Sequence, residues 1–133
     1  MEFNIKEELN DFLDNYNKDK KIIINSFISD EFPKTLIGNP DDIKNIIDCA
    51  LTYIKSNMVE GTINLDLNCM QYDKGVGLYL SIMTKCTKIK KEELDINKLK
   101  ELVDNVEGNL LVDNSDKGII IMIDFAMESI IEE

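Results

Sequence analysis

Phe32-Pro33-Lys34-Thr35-Leu36-Ile37-Gly38-Asn39-Pro40-Asp41-Asp42-Ile43-Lys44-Asn45-Ile46-Ile47 runs from a loop into a helix, and the rest of the chain is organised around it. Pro33, Gly38 and Pro40 punctuate the loop, because proline fixes its own backbone angle and glycine accepts bends that other residues resist. Asp41 and Asp42 place negative charge in the first helical turn, where the helix dipole favours it. From there Ile43, Ile46, Ile47, Ala50, Leu51 and Ile54 recur at the three-and-four spacing of a buried stripe. A helix is therefore predicted from this point to just before Glu60-Gly61.

Downstream the period changes from helical to alternating. Between Thr62 and Met70, Ile63, Leu65, Leu67 and Cys69 fall on one face of a strand. Tyr72 to Gly77 turns the chain, and Leu78, Leu80 and Ile82 alternate on the way back. This pattern predicts a β-hairpin with apolar residues inside and polar ones outside. A third helix is expected from about Glu92 or Asp95 to Val106, with Ile96, Leu99, Leu102, Val103 and Val106 as its stripe. Gly108 lies where that helix terminates. Leu110 to Val112 reads as a strand, Asp113 to Gly118 as a turn, and Ile119 to Phe125 as the last strand. Upstream, Ile5, Leu9, Phe12, Leu13 and Tyr16 share one helical face after a cap at Asn4. The β-branched run Lys21 to Ile28 reads as a strand.

Residues 1–133 are thus expected to form a single α+β domain, a two-layer α/β sandwich. Its mixed five-stranded sheet would carry about three helices on one face. The length is sufficient for one ordinary core.

Composition excludes several function classes. The chain has 133 residues, no His, no Trp and a net charge of −11, and every positive side chain is a Lys. Without His there is no phosphohistidine and no imidazole base. Without Arg there is no planar fork for bidentate phosphate recognition. The negative charge argues against nucleic acid and anionic membrane as partners. No stretch is long enough to span a bilayer and the first residues do not resemble a secretory signal, so a cytoplasmic location is expected. Cys49, Cys69 and Cys86 sit in apolar runs without C-x-x-C spacing, which favours structural thiols over a metal site. No metal and no cofactor are expected.

The stretch from Phe32 to Ile47, together with the residues downstream of it, resembles the ATP-binding domain of histidine kinases, the GHKL or Bergerat-fold family. There a proline, a short apolar pair and Gly-Asp-Pro precede the helix that carries the Asn box. Glu60-Gly61-Thr62-Ile63 is similar to the family's Gly-x-Ile at the start of its hairpin. Ile89-Lys90-Lys91-Glu92-Glu93-Leu94 resembles Ile-Pro-x-Glu-x-Leu, and Lys100 to Leu110 resembles Lys-x-Leu-Val-x-x-x-Gly-Gly-x-Ile. Lys117-Gly118-Ile119 stands where the family has Gly-x-Gly-Ser/Thr.

The same resemblance places the family's functional positions on unsuitable residues. The two Asn residues of the Asn box fall on Cys49 and Tyr53, and a thiol and a phenol are poor ligands for Mg²⁺. A shift by one residue would instead put Asp48 and Thr52 there. The family's Asp-x-Gly-x-Gly falls on Thr84, Cys86 and Lys88, which adds side chains where the nucleotide needs bare backbone. The long loop that forms the ATP lid is missing between Leu94 and the third helix. The family's phosphoacceptor His, carried by a helical hairpin ahead of this domain, has no counterpart in these residues.

The resemblance therefore implies a degenerate pocket at Cys49, Tyr53, Thr84, Cys86 and Lys88, filled by those side chains. It implies a non-catalytic interaction module of a bacterial phosphorelay, similar to the second domain of histidine phosphotransferases. The implied partner is a protein, such as a response-regulator receiver domain. The competing reading is a divergent ATPase or kinase that uses Asp48 and retains weak nucleotide binding.

Overall fold

Asn39 starts the central helix. In the computed structural model, which describes residues 1–16, 21–89, 96–115 and 118–129 (without the side chains of 85–89 and 115), the Asn39 side chain accepts a hydrogen bond from the Asp41 amide at 3.0 Å. Pro40 takes the first helical position, where its missing N–H costs nothing. The helix, α2, runs Pro40–Asn57. Each residue of its predicted stripe is at most 2% exposed. α1 (Ile5–Asp14) begins the same way, with Asn4 accepting from the Glu7 amide at 3.1 Å. Lys44 of α2 pairs with Glu8 of α1 at 2.7 Å. α3 spans Asn97–Asn105, and the earlier starts expected at Glu92 or Asp95 lie outside the described residues.

The strands are β1 (Glu2–Phe3), β2 (Ile22–Ile28), β3 (Leu36–Ile37), β4 (Met58–Tyr72), β5 (Gly75–Ile89), β6 (Asn109–Ser115) and β7 (Gly118–Ser129). They form one sheet in the order β1-β3-β7-β5-β4-β2, with β6 also paired to β7. β2 and β4 are parallel and the other pairs antiparallel, so the sheet is mixed. Among the described residues the strands number seven rather than the expected five. The two extra strands hold only two residues each, too few to leave an alternating signature. Phe3 and Leu36 are register partners there, and both are buried.

Inward positions of the sheet meet the helices in one core. Ile63, Leu65 and Leu67 of β4 and Leu78, Leu80 and Ile82 of β5 are directly opposed pairs or neighbours and join α2 in the same buried cluster. Leu9 and Leu13 of α1, and Leu99 and Val103 of α3, complete it. Among the described residues no helix is long and apolar enough to cross a membrane.

One expectation changes. The outward face of the sheet is not uniformly polar, since Phe27, Met83, Leu111 and Met122 are about half exposed there (46–57%). Gly108 lies just past the end of α3 as expected, and the left-handed turn there is made by Glu107 (φ 56°). Gly108 is required for another reason. A Cβ on it would lie 2.5 Å from the Asp124 carbonyl oxygen, so its bare backbone lets the end of α3 settle on β7.

Candidate functional site

α2 and α3 pack side by side over the sheet, and between them lies a cleft of about 380 Å³. Its α2 wall is built by helical periodicity. Asp48, Thr52 and Ser56 recur every fourth residue, and Cys49 and Tyr53 form a parallel row one position on. Ile96, Lys98 and Leu99 close it from the start of α3.

The structure thus brings Cys49 and Tyr53 together in one cleft, one turn apart, both half-buried against the core. It also brings in Asp48 and Thr52, the alternative pair. The expectation that these side chains fill the site is corrected: they line an open cleft. The reason is size, since Cys49, Thr52 and Ser56 are small and leave space that the ring of Tyr53 does not occupy. The volume falls at the low end of the range for small-molecule pockets.

Burial pushes the Cys49 thiol above its ordinary pKa; nearby Lys98 opposes this and Asp48 adds to it. At neutral pH the group is therefore a protonated thiol, a weak nucleophile and a weak metal ligand. Among the described residues no group of His, Cys, Asp and Glu is arranged to hold a metal ion.

Thr84 does not join the cleft. It is 7% exposed, and its hydroxyl oxygen accepts a hydrogen bond from the Ile119 amide at 2.9 Å. Its carbonyl oxygen lies so near Gly118 that a Cβ there would come within 2.8 Å. Thr84 therefore ties β5 to the start of β7. Cys86 and Lys88 pair in register with Gly61 and Glu60 of β4, and their side chains lie outside the described residues. Sequence reasoning missed Ser56 and Lys98. Ser56 was within reach, as the next step of the Asp48–Thr52 row. Lys98 was not, because its role depends on how α3 lies against α2.

No protein-family model matches the sequence, and no curated protein matches it. Solved structures do match in fold. Full-length ShkA, solved in complex with AMPPNP, superposes with a TM-score of 0.74 at 12% identity, over 99% of this chain and 32% of that one. Histidine kinase AdeS of Acinetobacter baumannii gives 0.69 at 11% identity, over 96% and 66%. Histidine kinase ThkA, solved in complex with the response regulator protein TrrA, gives 0.65 at 12% identity, over 97% and 42%. The chain thus spans no more than about two thirds of these kinases. By contrast it spans 96% of the isolated ThkA catalytic domain, with a TM-score of 0.63.

Proposed function

Starting from the fold of a histidine kinase catalytic domain, we propose that this chain is a non-catalytic protein-interaction module of a two-component system or phosphorelay, a pseudo-ATPase that does not bind ATP. One observation carries this reading. Thr84, at the position where the resemblance puts the adenine-reading Asp, is buried and its hydroxyl already accepts the Ile119 amide. A hydroxyl this buried and already bonded to the backbone is a weak acceptor for an adenine amino group, where a carboxylate would be a strong one. Cys49 and Tyr53 at the Asn-box positions add to it, since neither offers Mg²⁺ the hard oxygen it prefers. Docking of a response-regulator receiver domain would be the analogue of the ThkA–TrrA complex.

A second reading rests on the cleft itself. Asp48 is a hard carboxylate, Thr52 and Ser56 continue its row, and Lys98 faces them from α3. These groups would suit a divergent ATPase that holds Mg²⁺ on Asp48 and a phosphate on Lys98. Calorimetric titration with ATP–Mg²⁺ separates the two. The interaction module gives no saturation through the millimolar range. Saturable binding that Asp48→Ala abolishes would establish the divergent ATPase.

A further inference from the structure

The face of the sheet turned away from the helices is apolar and acidic at once. Ile23 and Phe27 of β2, Met83 of β5, Met122 of β7 and Leu111 of β6 are each about half exposed (46–57%). The registers Leu111↔Met122 and Met122↔Ser81 run across β6, β7 and β5, and Ser81↔Asp66 and Asp66↔Phe27 continue through β4 to β2. One row of outward residues therefore crosses the sheet, apolar at both ends with a carboxylate near one of them. Single exposed apolar residues are ordinary, but a contiguous set on one face marks a contact surface.

The charge that the strands carry on this face is mostly negative. Asp66, Asp113, Asp124 and Glu128 occupy outward positions, and Lys85, in register with Thr62 and two residues from Met83, brings one lysine position to the same face. Asp66 has no cationic partner among the described residues. It sits instead in a notch of about 310 Å³ walled by Phe27, Met83, Asn25 and Asn64. The register partner of Asp66 on β5 is the small Ser81.

We propose that this face docks a basic, amphipathic segment of a partner protein, with a Lys or Arg side chain seated in the notch on Asp66. The aliphatic stem of such a side chain would lie between Phe27 and Met83 while its head group meets the carboxylate. Apolar side chains of the same segment would cover Met122 and Leu111. A second copy of this chain is the wrong occupant, because a two-fold contact would set acidic faces against each other. Nucleic acid and anionic membrane are repelled for the same reason. The face lies across the sheet from the α2–α3 cleft. It therefore stands on the interaction-module reading, yet is tested apart from it: nucleotide binding reports on the cleft, peptide binding on the sheet.

The test is a titration of the ¹⁵N-labelled chain with a synthetic peptide of leucine and arginine at three-four spacing, and with its counterpart carrying glutamate for arginine. The arginine peptide is expected to bind saturably, shifting the amides of β2, β4, β5 and β7 around Asp66. Asp66→Asn, Phe27→Ser and Met83→Ser should each weaken it by about tenfold. Glu101→Gln, on the exposed side of α3, should leave it unchanged. These substitutions are at exposed positions, and a dispersed spectrum verifies each fold. The proposal is overturned if the peptide fails to bind or shifts the helices instead. Equal weakening by Glu101→Gln, which would mean general charge attraction, overturns it too, as does a dimer in sedimentation that Phe27→Ser dissociates.

Discussion

Removing the Thr84 hydroxyl tests whether that residue is structural. Thr84→Val keeps the shape of the side chain and deletes only the oxygen that accepts the Ile119 amide at 2.9 Å. The bond is buried, and Ile119 is 0% exposed, so water cannot replace the lost acceptor. An unsatisfied buried donor costs about 1–3 kcal/mol. For a domain of this size that lowers the melting temperature by about 4–12 °C. Thr84→Ser keeps the oxygen and loses one methyl group, which costs about 0.8 kcal/mol. Thermal and urea unfolding of the pair should therefore rank Val below Ser. A valine variant as stable as the wild type, or more stable, would show that the hydroxyl holds nothing. It would also withdraw the reason for reading Thr84 as a residue held by the protein's own backbone.

Three further outcomes rest on the packing. Ile47→Ala and Ile54→Ala empty a site under α2 where both side chains are 0% exposed, and urea unfolding should show losses of about 2–5 kcal/mol each. Losses well under 1 kcal/mol for both would place that stripe on the surface. Gly108→Ala pushes a Cβ to 2.5 Å from the Asp124 carbonyl oxygen, and should cost about 1–3 kcal/mol in the same assay. An unchanged midpoint would mean that α3 is free to shift. In a chain with Cys69 and Cys86 replaced by serine, alkylation of Cys49 should report a pKa above the ordinary thiol value, because burial raises it. A folded-state pKa above the unfolded one means stability present below the unfolded value, near pH 9, and lost as pH rises through the folded value. A Cys49 reacting as a thiolate at neutral pH would contradict this.

Much of the fold is legible in the sequence, because its decisive elements carry long periodic signals. The α2 stripe from Ile43 to Ile54 and the alternation of Ile63, Leu65 and Leu67 fix one layer against the other. Glu2–Phe3 and Leu36–Ile37 could not be read as strands, since pairing with β7 and with each other creates them. Gly108 reads as a helix terminator because glycine favours left-handed turns. Its actual constraint is a carbonyl on β7, far away in sequence. The outward face of the sheet reads as polar from Asn64, Asp66 and Asn68. Phe27, Met83, Leu111 and Met122 come from four different strands and converge only in the folded sheet. The candidate site is the least legible part. That Thr84 is spent on β7 and that Cys49 and Tyr53 line a cleft both depend on distances between elements, which no spacing encodes.

The central claim is that the cleft between α2 and α3 no longer serves ATP. Its most direct test is an amide-resolved titration of the ¹⁵N-labelled chain with ATP and Mg²⁺, repeated with Asp48→Ala. The expected result is that the amides of Asp48, Cys49, Thr52, Tyr53 and Lys98 stay in place through millimolar nucleotide. Saturable shifts at those same amides, lost in Asp48→Ala, would contradict it and identify a working nucleotide site.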